Sequence, residues 1–182
     1  MKRRAVIGIC VGLSLVGSAV DARAQMTMGT FKGYLTGHVG VVTSDDVTNE
    51  RIAAGASIAV QEASGWGAEV DFGRSTDVSA AHQSLDLTTY FVNAAWVKPR
   101  GIIRPFGSVG AGIMQIESSA HTSDLGLSAG GGTFLVINDI AALRADARYF
   151  FSMADHPELR RPDNFGFWRI SVGATFMWAI IP

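Results

Sequence analysis

From Phe167 to Trp178 the chain alternates without a break. Trp168, Ile170, Val172, Ala174, Phe176 and Trp178 form one set, and Arg169, Ser171, Gly173, Thr175 and Met177 form the other. Neighbouring side chains of a strand point to opposite faces, so this stretch predicts a strand with one wholly apolar face and one polar or small face. The apolar face has a tryptophan at each end and mostly aliphatic residues between them. That is the pattern of a strand whose outer face crosses lipid and whose ends sit at the two water interfaces. Each unpaired N–H or C=O costs several kcal/mol in hydrocarbon, so such a strand needs a partner on both edges. The rest of the chain must supply a sheet that closes on it.

Seven earlier segments meet that need: Thr30–Val42, Ala53–Ala63, Gly67–Arg74, Leu85–Val97, Ile103–Ile116, Leu125–Val136 and Ile140–Ser152. Where the alternation is clear, one face is uncharged. Ala68, Val70 and Phe72 oppose Glu69 and Asp71; Leu143, Ala145, Ala147, Tyr149 and Phe151 oppose Arg144, Asp146 and Arg148. In the first segment Lys32, Tyr34, Thr36 and His38 share the inward side. The glycine-rich fifth and sixth segments do not separate into faces. Ser64–Gly67, Lys98–Gly101 and Asn138-Asp139 read as tight turns. Ser44–Arg51, Ser75–Ser84, Glu117–Asp124 and Met153–Gly166 are polar and read as loops. Short and longer connections thus alternate, as in barrels whose short turns face the periplasm and whose loops face outside. The expected fold is an all-β, eight-stranded, antiparallel up-and-down transmembrane barrel. A soluble β-sandwich would also alternate, but would place charges on its exposed faces.

The amino terminus does not share this pattern. Lys2, Arg3 and Arg4 precede the apolar run Ala5–Val20, and Ala22-Arg23-Ala24 ends it. A charged start, a short apolar stretch and an A-x-A site predict a cleaved Sec-type signal peptide, residues 1–24, with the barrel domain on 25–182. Cys10 would leave with it, and no other cysteine exists for a disulfide or thiol chemistry. Cleavage also removes Lys2, Arg3, Arg4, Asp21 and Arg23, so the net charge moves from −1 to −4. An acidic chain argues against a nucleic-acid partner. No later segment is an apolar run of the ~18 residues that a spanning helix requires.

Two motifs carry a family resemblance. Ser171, Gly173, Phe176 and Trp178 fit the polar–x–Gly–x–x–aromatic–x–aromatic pattern that ends many outer-membrane β-barrels. In that family the pattern is the assembly signal read by the barrel-assembly machinery. Ala179–Pro182 follow the last aromatic here, where the family usually stops. Arg104-Pro105-Phe106-Gly107, continued by Gly110 and Gly112, is typical of the group at the start of the fifth strand. From about Thr30 to Trp178 the chain resembles the small OmpA/OmpX-like, porin-like outer-membrane barrels of the Gram-negative envelope. The resemblance implies an outer-membrane location, a monomer, and contact with outer-membrane lipid and lipopolysaccharide.

The strongest polar set is Glu69, Asp71, Arg144, Asp146, Arg148 and Arg169, all inward by alternation. Eight strands enclose a space just wide enough for side chains to fill. Unpaired buried charge is very costly, so the set predicts a packed, mutually neutralising lumen, with a narrow ion path as its functional alternative. A second candidate is His121-x-Ser123, resembling the His-x-Ser pair of lipid A deacylases, barrels in which a downstream Glu orients the His. A Ser nucleophile needs such a base and orienter, and no Glu lies between Glu117 and Glu158. The pair is therefore expected to be solvated loop residues. His38, His82 and His156 have no metal-ligand spacing, and no glycine lies in a phosphate-loop context. The expectation is a non-enzymatic envelope protein without cofactor or metal, structural, surface-interacting or a narrow pore; the alternative is a lipid-modifying barrel enzyme.

Overall fold

The structure, a computed structural model, describes residues 31–43, 47–49, 51–80, 83–117, 121–153 and 166–180. The expected signal peptide, His82 and His156 lie outside these residues. The strands are β1 (Phe31–Thr43), β2 (Val47–Asn49), β3 (Arg51–Gln61), β4 (Trp66–Ala80), β5 (Gln83–Val97), β6 (Ile103–Glu117), β7 (His121–Val136), β8 (Ala141–Ser152) and β9 (Gly166–Ile180). β2 pairs with β4 beyond the end of β3, so the two make one stave. Among the described residues every pairing is antiparallel between consecutive staves, and β1 pairs with β9 to close the sheet into an eight-stranded barrel.

The closing seam shows why closure works. Phe31↔Ile180 through Thr43↔Trp168 are in continuous register. Gly33 faces Trp178 across it, and a Cβ on Gly33 would lie 2.1 Å from Trp178 Cε2. Only hydrogen at that position lets the indole lie flat on the neighbouring strand.

Outward positions are apolar around the wall: Leu35, Val39, Ile58, Val70, Val92, Leu127, Leu143 and Val172 are exposed. Outward aromatic residues stand near both ends, mostly on β4, β5, β8 and β9. Trp66 and Trp96 are register partners near the turns, and Phe72–Tyr90 and Tyr149–Trp168 pair near the other end, with centroids 5.2 and 5.3 Å apart. Inward positions are buried and mostly polar at mid-height. Such an inside-out distribution suits a lipid solvent, not water.

Two expected loops are largely sheet. Ser75–Ser84 belongs mostly to the β4–β5 hairpin, which pairs out to Ala80↔Gln83 with an irregularity between Ser75 and Val78. Glu117–Asp124 belongs partly to β6–β7, which pairs out to Glu117↔His121. Beyond the apolar slab both faces of a strand meet water, so the alternating signal disappears while the hydrogen-bond ladder continues. Arg51 likewise begins β3. The Gly-rich strands also resolve: Phe106, Ser108, Met114 and Ile116 of β6 and Asp124, Ser128 and Phe134 of β7 are buried inward.

Candidate functional site

The lumen is stratified. Near the three short turns, Tyr34, Val97, Phe106, Phe134, Ala142 and Met177 form an apolar plug. Near the opposite, loop end, Val42, Leu87, Phe91, Met114, Phe150 and Phe167 belong to a second one. The polar inward residues of β4, β8 and β9 lie between them.

Those residues form a ladder of alternating charge. Arg144 sits on the turn-end plug, its guanidinium 4.6 and 5.3 Å from the ring centroids of Phe106 and Phe134. Its Nη1 is 3.2 Å from Glu69 Oε1. Glu69 also accepts from Arg148 Nη2 at 2.9 and 3.0 Å. Arg148 Nη1 lies 3.7 Å from Asp71 Oδ2. Asp71 accepts from Arg169 Nη2 at 2.8 and 3.0 Å. Arg169 ends the ladder on the loop-end plug, 5.0 Å from the Phe150 centroid. Asp146 braces it from the side, accepting from Arg144 Nε and Ser171 Oγ, both at 2.8 Å. The six side chains carry three positive and three negative charges, all almost wholly buried. A guanidinium within ~6 Å of a ring face is attracted by its quadrupole, so the terminal cations are held on both sides.

Smaller groups complete the layer. Arg144 Nη1 donates to Ser57 Oγ at 3.3 Å. Ser128 Oγ donates to Asn93 Oδ1 at 2.7 Å, and Thr36 and Thr175 share a 2.9 Å hydrogen bond. His38 lies inward with Nε2 3.4 Å from Asp71 Oδ2. Gly73 makes room for the ladder: a Cβ there would stand 2.4 Å from Arg169 Nη1 and 2.9 Å from Thr89 Oγ1. Within the turn-end plug a void of about 20 Å³ borders Tyr34, Gln61, Glu69, Phe106, Phe134 and Arg144. That is room for about one water molecule. Among the described residues no three His, Cys, Asp or Glu side chains gather to hold a metal.

Sequence reasoning missed the aromatic ends of the ladder. Phe150 continues the inward set of Arg144, Asp146 and Arg148, so alternation alone could have found it. Phe106 and Phe134 lie in strands where glycine occurs on both faces, at Gly107 and Gly131 outward and Gly110 and Gly132 inward, which erases the contrast.

The assembly-signal residues divide between lumen and wall. Ser171 is inward and bonded to Asp146, Gly173 pairs with His38, and Phe176 and Trp178 stack outward with centroids 5.9 Å apart. Positions 121 and 123 lie in a strand, not a loop. Register places Glu117 opposite His121 and Gln115 opposite Ser123, and Ser123 is exposed. An acid thus lies across the strand pair from His121, upstream in sequence, where linear spacing does not look for it.

No family model matches the sequence, and no curated protein matches it. Solved structures do. The N-terminal β-barrel domain of Pseudomonas aeruginosa OprF is 14% identical, with 83% of this chain and 100% of that one covered and a TM-score of 0.59. Neisserial surface protein A is 12% identical over 80% of this chain and 96% of that one, with a TM-score of 0.57. Ail, the attachment invasion locus protein of Yersinia pestis, is 18% identical over 83% of this chain and 100% of that one, with a TM-score of 0.53. With its closed eight-stranded sheet and apolar exterior, the chain has the fold of the small outer-membrane β-barrels.

Proposed function

We propose that this chain is a non-enzymatic integral protein of a Gram-negative outer membrane, a structural or surface-interacting barrel closed to solutes. The observation that carries the closed reading is the filled lumen: an apolar plug at each end and a neutralised charge ladder between them. A hydrated ion crossing it would have to break buried ion pairs, each costing several kcal/mol to leave unpartnered. The apolar wall, the outward aromatic residues near both ends and the likeness to outer-membrane barrels support the location. By the usual orientation of such barrels the short turns face the periplasm. The test is planar-bilayer recording of the folded protein: no unitary conductance steps are expected, and reproducible steps that vanish on heat denaturation would overturn the closed reading.

One observation favours a second reading. Glu117 opposite His121, with Ser123 two positions along β7, is the type of composition a nucleophilic hydrolase uses. Its position near the loop end of the wall would suit an ester of the outer leaflet. Mass spectrometry of lipid A from cells with the wild-type protein, with Ser123→Ala and with none separates the two. Identical lipid A in all three supports the non-enzymatic reading; acyl loss only with wild type supports the enzyme.

A further inference from the structure

The charges of the ladder are balanced, but those at the turn-end mouth of the barrel are not. Below the plug lies a concavity of about 360 Å³, with Tyr34 and Gln61 as floor and Lys32, Glu62, Arg100 and Arg104 among its walls. The floor is fixed and polar. Tyr34 donates its hydroxyl to Gln61 Oε1, and Gln61 Nε2 donates to the carbonyls of Gly65 at 3.2 Å and Val97 at 3.0 Å. Arg104 stands beside the Tyr34 hydroxyl and is held in place by a 2.9 Å bond from its Nε to Gly101 O. Lys32 and Arg100 are exposed, and among the described residues neither has an ion-pair partner. Three cations thus face a single carboxylate, in a chain that is acidic overall. A concave site lined by one sign of charge concentrates the opposite sign.

We propose that this mouth binds a phosphate-bearing anion, held by Lys32, Arg100 and Arg104 over the Tyr34–Gln61 floor. Two guanidinium groups offer planar donor forks that match phosphate oxygens, and the ammonium adds a mobile point charge. Phosphate is favoured because three converging cations suit a group carrying up to two charges and several acceptor oxygens. The mouth also lies at the level of Trp66 and Trp96, the depth of lipid headgroups. The phosphate therefore has two possible sources, a soluble phosphate compound or the headgroup of a phospholipid in the turn-side leaflet.

The test uses residues 25–182 folded in dodecyl maltoside, and again in phosphatidylcholine nanodiscs with or without phosphatidylglycerol. Inorganic pyrophosphate is titrated by calorimetry in detergent, and retained phosphatidylglycerol is counted by native mass spectrometry. The variants are Arg100→Gln, the triple Lys32→Gln/Arg100→Gln/Arg104→Gln, and Arg74→Gln as control, since Arg74 lies near the loop end and pairs with Asp86 at 3.6 Å. Saturable pyrophosphate binding that weakens about tenfold or more in the triple variant and not in the control supports a soluble source. Retention of phosphatidylglycerol alone, lost in the same variant, supports the lipid source. If the triple variant does not fold, the exposed-turn Arg100→Gln decides, with several-fold weaker binding expected. No saturable binding of either probe by wild type, or equal binding by wild type and the mouth variants, overturns the proposal.

Discussion

At the scale of the residue, the lumen depends on charges that cannot be removed singly. Arg169 is 2% exposed and gives Asp71 its two shortest hydrogen bonds. Among the described residues, Arg169→Ala should leave that carboxylate with the longer contacts to Arg148 and His38. The expected loss is roughly 3 kcal/mol, read from urea unfolding in lipid vesicles. Adding Asp71→Ala should cost less than the sum of the two single changes, because partners in one network couple. Unchanged stability in Arg169→Ala would mean the ladder is wet. Gly73 tests the same network through packing. Gly73→Ala should push Arg169 off its place and cost about 1–3 kcal/mol. Gly37→Ala should be close to neutral in the same assay, since a Cβ there meets nothing within 4 Å.

At the scale of the element, β9 separates two solvents. Val172 is 60% exposed on the wall and Thr175 is 3% exposed in the lumen. Val172→Arg places a cation near mid-membrane on the lipid face and should cost roughly 2–4 kcal/mol or block insertion. The measurement is the folded fraction on a heat-modifiable gel after refolding into vesicles. Wild-type yield from Val172→Arg would mean that this face does not meet lipid. The face of β9 was legible from its sequence because the alternation is uninterrupted. The loop-end residues of β4, Ser75–Ala80, and of β7, His121–Asp124, were not, since polar residues occupy both alternating sets there. A hairpin standing in water and a loop have the same composition, and only the hydrogen-bond ladder distinguishes them.

At the scale of the whole molecule, the exterior requires an apolar solvent. In detergent micelles or lipid the chain should refold to a monomer with β-sheet circular dichroism and heat-modifiable mobility. In buffer alone it should aggregate, because its exposed wall is a continuous apolar surface of the kind that drives association. A stable monomer in plain buffer would remove the membrane assignment and the functional proposals resting on it. The number of staves and the inward position of the charged residues follow from the sequence alone, because strand periodicity is local and each pleat repeats every two residues. Which charges meet does not. Glu69 is 79 residues from Arg148, and Asp71 is 98 from Arg169. Their contacts arise only when β1 closes on β9 and the stagger of the staves sets which inward side chains share a level. The plugs, the filled lumen and the unbalanced mouth are likewise products of closure, since no segment of the chain contains more than part of any of them.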